Sequence, residues 1–166
     1  ALFPLMSPGM EVIVANKLYG GTINLMGKSY RKFGWKAIFV DTDNPEDFRR
    51  AVTENTRAIF IENLANPGGV VADLEAIAKV ANEAGVPLVV DNTMATPFLS
   101  QPIEWGADIV VHSTTKFLSG QGNALGGVVI DSGKFPWLGN SKYPSLSEPS
   151  PEYNGLTFAE TFGDLA

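Results

Sequence analysis

Three stretches of the chain place reactive side chains directly after apolar, β-branched runs. Asp91, Asn92 and Thr93 follow Leu88-Val89-Val90. His112, Ser113, Thr114, Thr115 and Lys116 follow Ile109-Val110-Val111. Glu62, Asn63 and Asn66 follow Ile59-Phe60-Ile61. A carboxylate at the mouth of a buried strand needs a cationic partner. Hydroxyls and turn amides suit a phosphate dianion. A partly buried lysine has its pKa lowered and becomes an amine nucleophile for a carbonyl. Asn66 precedes a proline, which biases it to extended backbone, and its amide could reach a ligand edge. Singly, each has a plainer reading: Asp91 as a turn cap, Lys116 as a solvated lysine in a Ser/Thr-rich turn, Asn66 as a turn residue. Asp91 and Lys116 lie 25 residues apart, the length of one crossover unit. That spacing predicts that they end neighbouring strands about 5 Å apart.

The elements that must hold these residues alternate along the chain. Short apolar runs at 11–15, 36–40, 57–61, 87–90 and 107–111 read as strands, and 126–130 as a further strand lying antiparallel at an edge. Helical patterns separate most of them. Residues 19–31 form a weak helix entered through Gly20-Gly21-Thr22. Asn44-Pro45-Glu46-Asp47 is a helix start, with a capping residue, proline at the first helical position and acids in the first turn. The clearest helix spans 73–84, where Leu74, Ile77, Ala78 and Ala81 make one apolar stripe and Gly85 stops it. Strands apolar on both faces and separated by helices predict an α/β fold: three αβα layers around a mostly parallel sheet. Ligands of such sheets bind at the carboxyl ends of the strands, where the residues above fall. From about 132 to 154, prolines among Gly, Ser and Asn predict a long surface excursion. Trp35, Trp105 and Trp137 are expected to pack.

Composition removes several function classes. Hydrophobic residues make up 45% and charged residues 18%, an ordinary globular balance. A net charge of −6 with no basic stripe argues against nucleic acid and anionic membrane surfaces. The chain has no cysteine, which excludes disulfides, thiolate zinc sites and cysteine nucleophiles and is compatible with the cytoplasm. No apolar run approaches the roughly 20 residues of a membrane span. No metal site is expected. Gly120-Gln121-Gly122 followed by Gly126-Gly127 has the wrong spacing for a dinucleotide loop. His112, the only histidine, is expected to be structural, and Glu62 is expected to be a strand-end structural acid rather than a base. Both ends read as cut, so the chain is expected to be an internal piece of a longer protein.

An acid for a ring nitrogen, an amine for an aldehyde and hydroxyls for a phosphate are what pyridoxal 5'-phosphate (PLP) asks of a protein. The chain resembles the PLP enzymes of cysteine and methionine metabolism, the cystathionine γ-synthase-like group. The resemblance rests on Leu18-Tyr19-Gly20-Gly21-Thr22, Glu62 to Pro67, Asp91-Asn92-Thr93 with Ala95-Thr96-Pro97, and His112 through Gly127. The tail resembles the sulfhydrylase branch of that group, through Asp131-Ser132-Gly133-Lys134-Phe135, Glu148 to Gly155 and Phe158 to Gly163.

The resemblance implies an aspartate-aminotransferase-like large domain over residues 1–166, without the family's N-terminal arm and C-terminal domain. It implies that Lys116 bonds the cofactor aldehyde and Asp91 pairs with its ring nitrogen. Ser113 and Thr115 would hold the phosphate. Tyr19 would stack on the ring and assist proton transfer, Asn66 would bond the ring hydroxyl, and Thr93 would support the other face. The implied reaction is replacement at Cγ of an acetylated homoserine by sulfide, in a homo-oligomer, dimer or tetramer. Cystathionine γ-synthase and methionine γ-lyase chemistry share the same residues. In this group the rest of the phosphate grip lies upstream, a Tyr and an Arg come from a neighbouring subunit, and the substrate carboxylate meets an Arg in the C-terminal domain. A non-catalytic folded core and a nucleotide-binding α/β domain are the readings from other classes.

Overall fold

The computed structural model describes residues 1–163. Six strands form one sheet: β1 (Glu11–Ala15), β2 (Lys36–Val40), β3 (Thr56–Glu62), β4 (Leu88–Asp91), β5 (Ile109–Ser113) and β6 (Gly127–Asp131). Their spatial order is β2-β1-β3-β4-β5-β6. The first five run parallel, and β6 pairs antiparallel with β5 at the edge. Every residue of β1 and β3 is buried, as expected for central strands covered on both faces.

The helices are α1 (Gly20–Asn24), α2 (Pro45–Ala51), α3 (Leu74–Ala84), α4 (Thr96–Leu99), α5 (Pro144–Ser147) and α6 (Phe158–Phe162). Asn44 caps α2, its side chain accepting from the Glu46 amide at 3.2 Å. Asp73 caps α3, accepting from the Ala76 amide at 3.0 Å, and Gly85 ends that helix in left-handed backbone. Leu74, Ile77, Val80 and Ala81 are the buried face of α3. Burying the three larger side chains contributes roughly 1.5–3 kcal/mol each.

Three expectations change. The 19–31 helix is not continuous: α1 gives way to a π-helical turn at Leu25–Ser29 and a 3-10 turn at Tyr30–Phe33. Three glycines in that stretch (Gly20, Gly21 and Gly27) weaken its helical propensity. The proline-rich segment after β6 is not simply a surface excursion. Trp137 and Tyr143 are buried, the Trp137 indole donates to Asp131 Oδ2 at 3.0 Å, and the Tyr143 hydroxyl donates to the Arg57 carbonyl at 2.9 Å. Trp35 and Trp137 pack as expected, but Trp105 is exposed. Among the described residues no helix is long and apolar enough to cross a membrane, and no group of three metal-ligating side chains assembles.

Candidate active site

Parallel strands all present their carboxyl ends at one sheet edge, and the residues after β1, β3, β4 and β5 converge there. Together they enclose a cavity of about 300 Å³ lined by Tyr19, Glu62, Asn66, Asp91, Thr93, Ser113, Thr115 and Lys116, with Leu64, Met94 and Leu125 as its apolar wall. Every residue singled out for a cofactor is on that wall. A larger groove of about 660 Å³ beside α3 is lined by Val71, Phe98, Leu99 and Trp105 with several acids, but by no lysine or arginine. It carries no comparable chemistry.

The two strand-end carboxylates sit side by side, Glu62 in register with Asp91. They are used differently. Glu62 is buried, with Oε1 accepting from the Tyr19 amide at 2.7 Å and Oε2 from the Asn66 amide at 2.8 Å. One carboxylate therefore ties together the loops after β1 and β3. Burial pushes its pKa up, the two amide bonds pull it down, and the Asp91 charge adds to the rise. With both oxygens engaged, Glu62 is a structural acid, as the sequence suggested.

Asp91 uses Oδ1 for the Thr93 amide, at 2.9 Å, and for the Thr93 hydroxyl. Among the described residues nothing bonds Oδ2, which leaves it for a cationic partner. The Thr93 hydroxyl also accepts from the Ser113 amide at 2.8 Å. Thr93 thus bridges the ends of β4 and β5, holding Asp91 against the turn that carries Lys116. Two buried asparagines brace the same edge: Asn63 donates to Asn92 at 2.8 Å, and Asn92 donates to the Ser100 carbonyl at 2.9 Å. Both stand among the strand-end polar residues of the sequence, but no role was expected of either. Their signal was the repeated acid-Asn pair at the ends of adjacent strands, Glu62-Asn63 and Asp91-Asn92.

Beyond β5 the hydroxyls divide. The Thr115 hydroxyl donates to the Gly126 carbonyl at 3.2 Å and accepts from the Gly126 amide at 3.0 Å, closing the loop between Lys116 and β6. The Ser113 hydroxyl has no such partner among the described residues and lines the cavity. Gly126 is needed at that closure, because a Cβ there would meet Thr114 Oγ1 at 2.5 Å. Lys116 lines the cavity, but it is exposed, not partly buried as expected. The desolvation foreseen for it requires a cover that residues 1–163 do not supply.

Tyr19 is half exposed and stands at the opening of α1, held through its amide by Glu62. A Cβ on Gly21 would lie 2.5 Å from Tyr19 Cε1, so the second glycine of Tyr19-Gly20-Gly21 makes room for the ring. His112 is buried and lines a different cavity, with Asn92, Ile103 and Ile130. Burial lowers its pKa, and the nearby Asp91 charge partly opposes this. It has no place in the lysine pocket.

A free carboxylate oxygen, a primary amine, an unengaged hydroxyl and an exposed aromatic ring around one small cavity match the ring nitrogen, aldehyde, phosphate and π-face of PLP. An amine and an acid at the carboxyl edge of a parallel α/β sheet are the arrangement a pyridoxal-phosphate site requires. The family model described as "Cys/Met metabolism PLP-dependent enzyme" matches residues 1–148, and the chain belongs to that family.

Among relatives, it is 50% identical over 163 residues to O-acetyl-L-homoserine sulfhydrylase of Leptospira meyeri, covering 98% of this chain and 37% of that protein. It is 47% identical over 168 residues to homocysteine synthase of Schizosaccharomyces pombe, covering 100% of this chain and 39% of that one. The crystal structure of a putative O-acetylhomoserine (thiol)-lyase from Campylobacter jejuni superposes with a TM-score of 0.91 at 39% identity. That match covers 96% of this chain and 40% of that one, and the Campylobacter protein carries a pyridoxyl-lysine phosphate. The chain spans about two fifths of the length of the curated relatives it matches.

Proposed function

We propose that residues 1–166 form the cofactor-binding large domain of a PLP-dependent sulfhydrylase. The full enzyme converts O-acetyl-L-homoserine and sulfide to L-homocysteine and acetate, a step of methionine biosynthesis. The observation that carries this is the single cavity joining Lys116, Asp91, Ser113, Asn66 and Tyr19. The names of the relatives support the choice of substrate.

Pyridoxal phosphate, when bound, supplies an aldehyde that bonds amines and a ring that withdraws electrons from the carbon next to the amine. Lys116 Nζ would hold the cofactor through its aldehyde, and as a free amine it would take the substrate's α-proton. Asp91 would pair with the ring nitrogen, and Thr93 holds that carboxylate in place. Ser113, with the turn amides beside it, would hold phosphate oxygens, and Thr115 anchors that turn from Gly126. Tyr19 would cover the ring and Asn66 would bond its hydroxyl, and Glu62 sets the position of both residues. Departure of acetate from Cγ would also require a proton to be taken from Cβ, and hydrogen sulfide would then add at the γ-carbon, so that the overall exchange of hydrogen sulfide for acetate releases one proton.

The same reading makes the intact protein a cytoplasmic homo-oligomer whose remaining segments close the site over Lys116. The test is product analysis on the full-length protein with O-acetyl-L-homoserine. Homocysteine and acetate formed in equal amounts from sulfide support the proposal. Cystathionine formed from cysteine, with no homocysteine from sulfide, would reassign it to a cystathionine synthase.

A further inference from the structure

A second site lies at the opposite end of the sheet. Arg57 is the second residue of β3, and Glu62, the last, reaches the lysine cavity. Five residue steps along the strand separate them by roughly 16 Å. Arg57 is only 9% exposed, yet its Nε has no hydrogen-bond partner. Its Nη1 donates to the Glu54 and Thr56 carbonyls at 2.8 and 3.0 Å. Among the described residues it forms no ion pair. A buried guanidinium with no carboxylate is costly, and proteins keep such groups paired.

Arg57 lines a cavity of about 650 Å³ together with a second cation, Lys142. The Lys142 ammonium donates to the Ala84 carbonyl at 2.8 Å at the end of α3, so it is held in place. Burial lowers its pKa, and the neighbouring Arg57 charge lowers it further. No aspartate or glutamate lines this cavity among the described residues. Its other walls are mostly apolar and aromatic, with Phe3, Leu5, Tyr153 and Phe158, and include the hydroxyls of Ser7, Ser141 and Ser145. Two like charges without an acid, set in an apolar pocket of ordinary ligand size, form half of an ion pair.

We propose that this pocket binds a small organic anion, with a carboxylate or phosphate head on Arg57 and Lys142 and an apolar or aromatic body against Phe3, Tyr153 and Phe158. The site is independent of the lysine cavity and of the reaction assigned to it. Phenyl phosphate and phenylacetate are suitable probes, with benzyl alcohol as the uncharged control. Binding is measured by calorimetry on protein whose lysine cavity has been filled with pyridoxal phosphate, fixed by borohydride and freed of excess cofactor, so that no free pyridoxal phosphate competes with the probes.

The expected result is saturable binding of at least one anion, weakened tenfold or more in Arg57→Met and in Lys142→Met, with benzyl alcohol failing to bind. The anion that binds more tightly identifies the head group. Lys142 is partly exposed, so its variant decides the matter if Arg57→Met does not fold. Circular dichroism and pyridoxal phosphate binding check that each variant is intact. The proposal is overturned if neither anion binds, if benzyl alcohol binds as well as they do, or if the Lys142→Met variant binds them unchanged. Failure of pyridoxal phosphate to bind at Lys116 would instead overturn the proposed function and leave this site standing.

Discussion

Glu62→Gln separates the organisation of the site from the stability of the fold. In the native chain both carboxylate oxygens accept backbone amides, from Tyr19 at 2.7 Å and Asn66 at 2.8 Å. Glutamine keeps one acceptor and turns an NH₂ group toward the other amide. One charge-assisted bond, worth about 1.5–3 kcal/mol, is lost, and a donor faces a donor. The substitution also removes a buried charge beside Asp91. Burial drives the Glu62 pKa up, so the charged form is less favourable in the folded chain than in the unfolded one. The sign follows from linkage: the stability from a raised carboxyl pKa is present at low pH and fades as pH rises through the folded value. At neutral pH, removing that charge is therefore favourable to the fold and offsets the lost bond.

The net expectation is a midpoint of thermal unfolding within a few degrees of wild type. PLP affinity falls about tenfold, the equivalent of 1.4 kcal/mol, because Tyr19 or Asn66 must be ordered again on binding. The assays are thermal unfolding followed by circular dichroism and PLP titration followed by the absorbance of the lysine-bound cofactor. A variant that binds PLP within twofold of wild type but unfolds much earlier would refute the reasoning, making Glu62 a general structural support rather than a brace for the site.

Other perturbations test separate parts of the account. Asp108 carries a pKa raised to about 6, first by burial and then by the Asp131 charge, against the Leu88 amide bond. Its contribution to stability is present below about pH 4 and is lost as pH rises toward 6. Asp108→Asn should flatten the pH dependence of unfolding across that window and raise stability at pH 7 by about 1–2 kcal/mol, after discounting for partial exposure. Gly21→Ala sets a methyl group against the Tyr19 ring and should weaken PLP binding several-fold while barely moving the unfolding midpoint, because the half-exposed ring can swing aside. Thr93→Val removes the hydroxyl between Asp91 and the Ser113 amide and should cost about 2–3 kcal/mol in urea unfolding, with PLP affinity falling alongside it.

The placement of Asp91 beside the Lys116 turn was legible in the sequence because strand runs and crossover length repeat along the chain, and β4 and β5 are indeed neighbours. The edge strand β6 was legible for the same reason, having no helical pattern before it. The hydroxyl assignments were less so. Thr93 and Thr115 look alike in sequence to a free ligand hydroxyl, yet both are engaged by partners that only register and loop closure bring near: Ser113 for one, Gly126 for the other. The exposure of Lys116 depends on what covers the sheet edge, which no local pattern encodes. The burial of Tyr143 within a proline-rich stretch follows from a hydrogen bond to Arg57, 86 residues away. Arg57 itself gave no signal, because a single cation in a strand run has no periodicity to mark it.

Lys116 and Asp91 are proposed to serve one PLP site. The most direct test of this is to add PLP, reduce with borohydride and map the labelled peptide, in wild type and in Lys116→Ala. A single pyridoxyl label is expected on Lys116, with no visible band or label in the variant. A label on another lysine such as Lys142, or an unchanged band in Lys116→Ala, would contradict it.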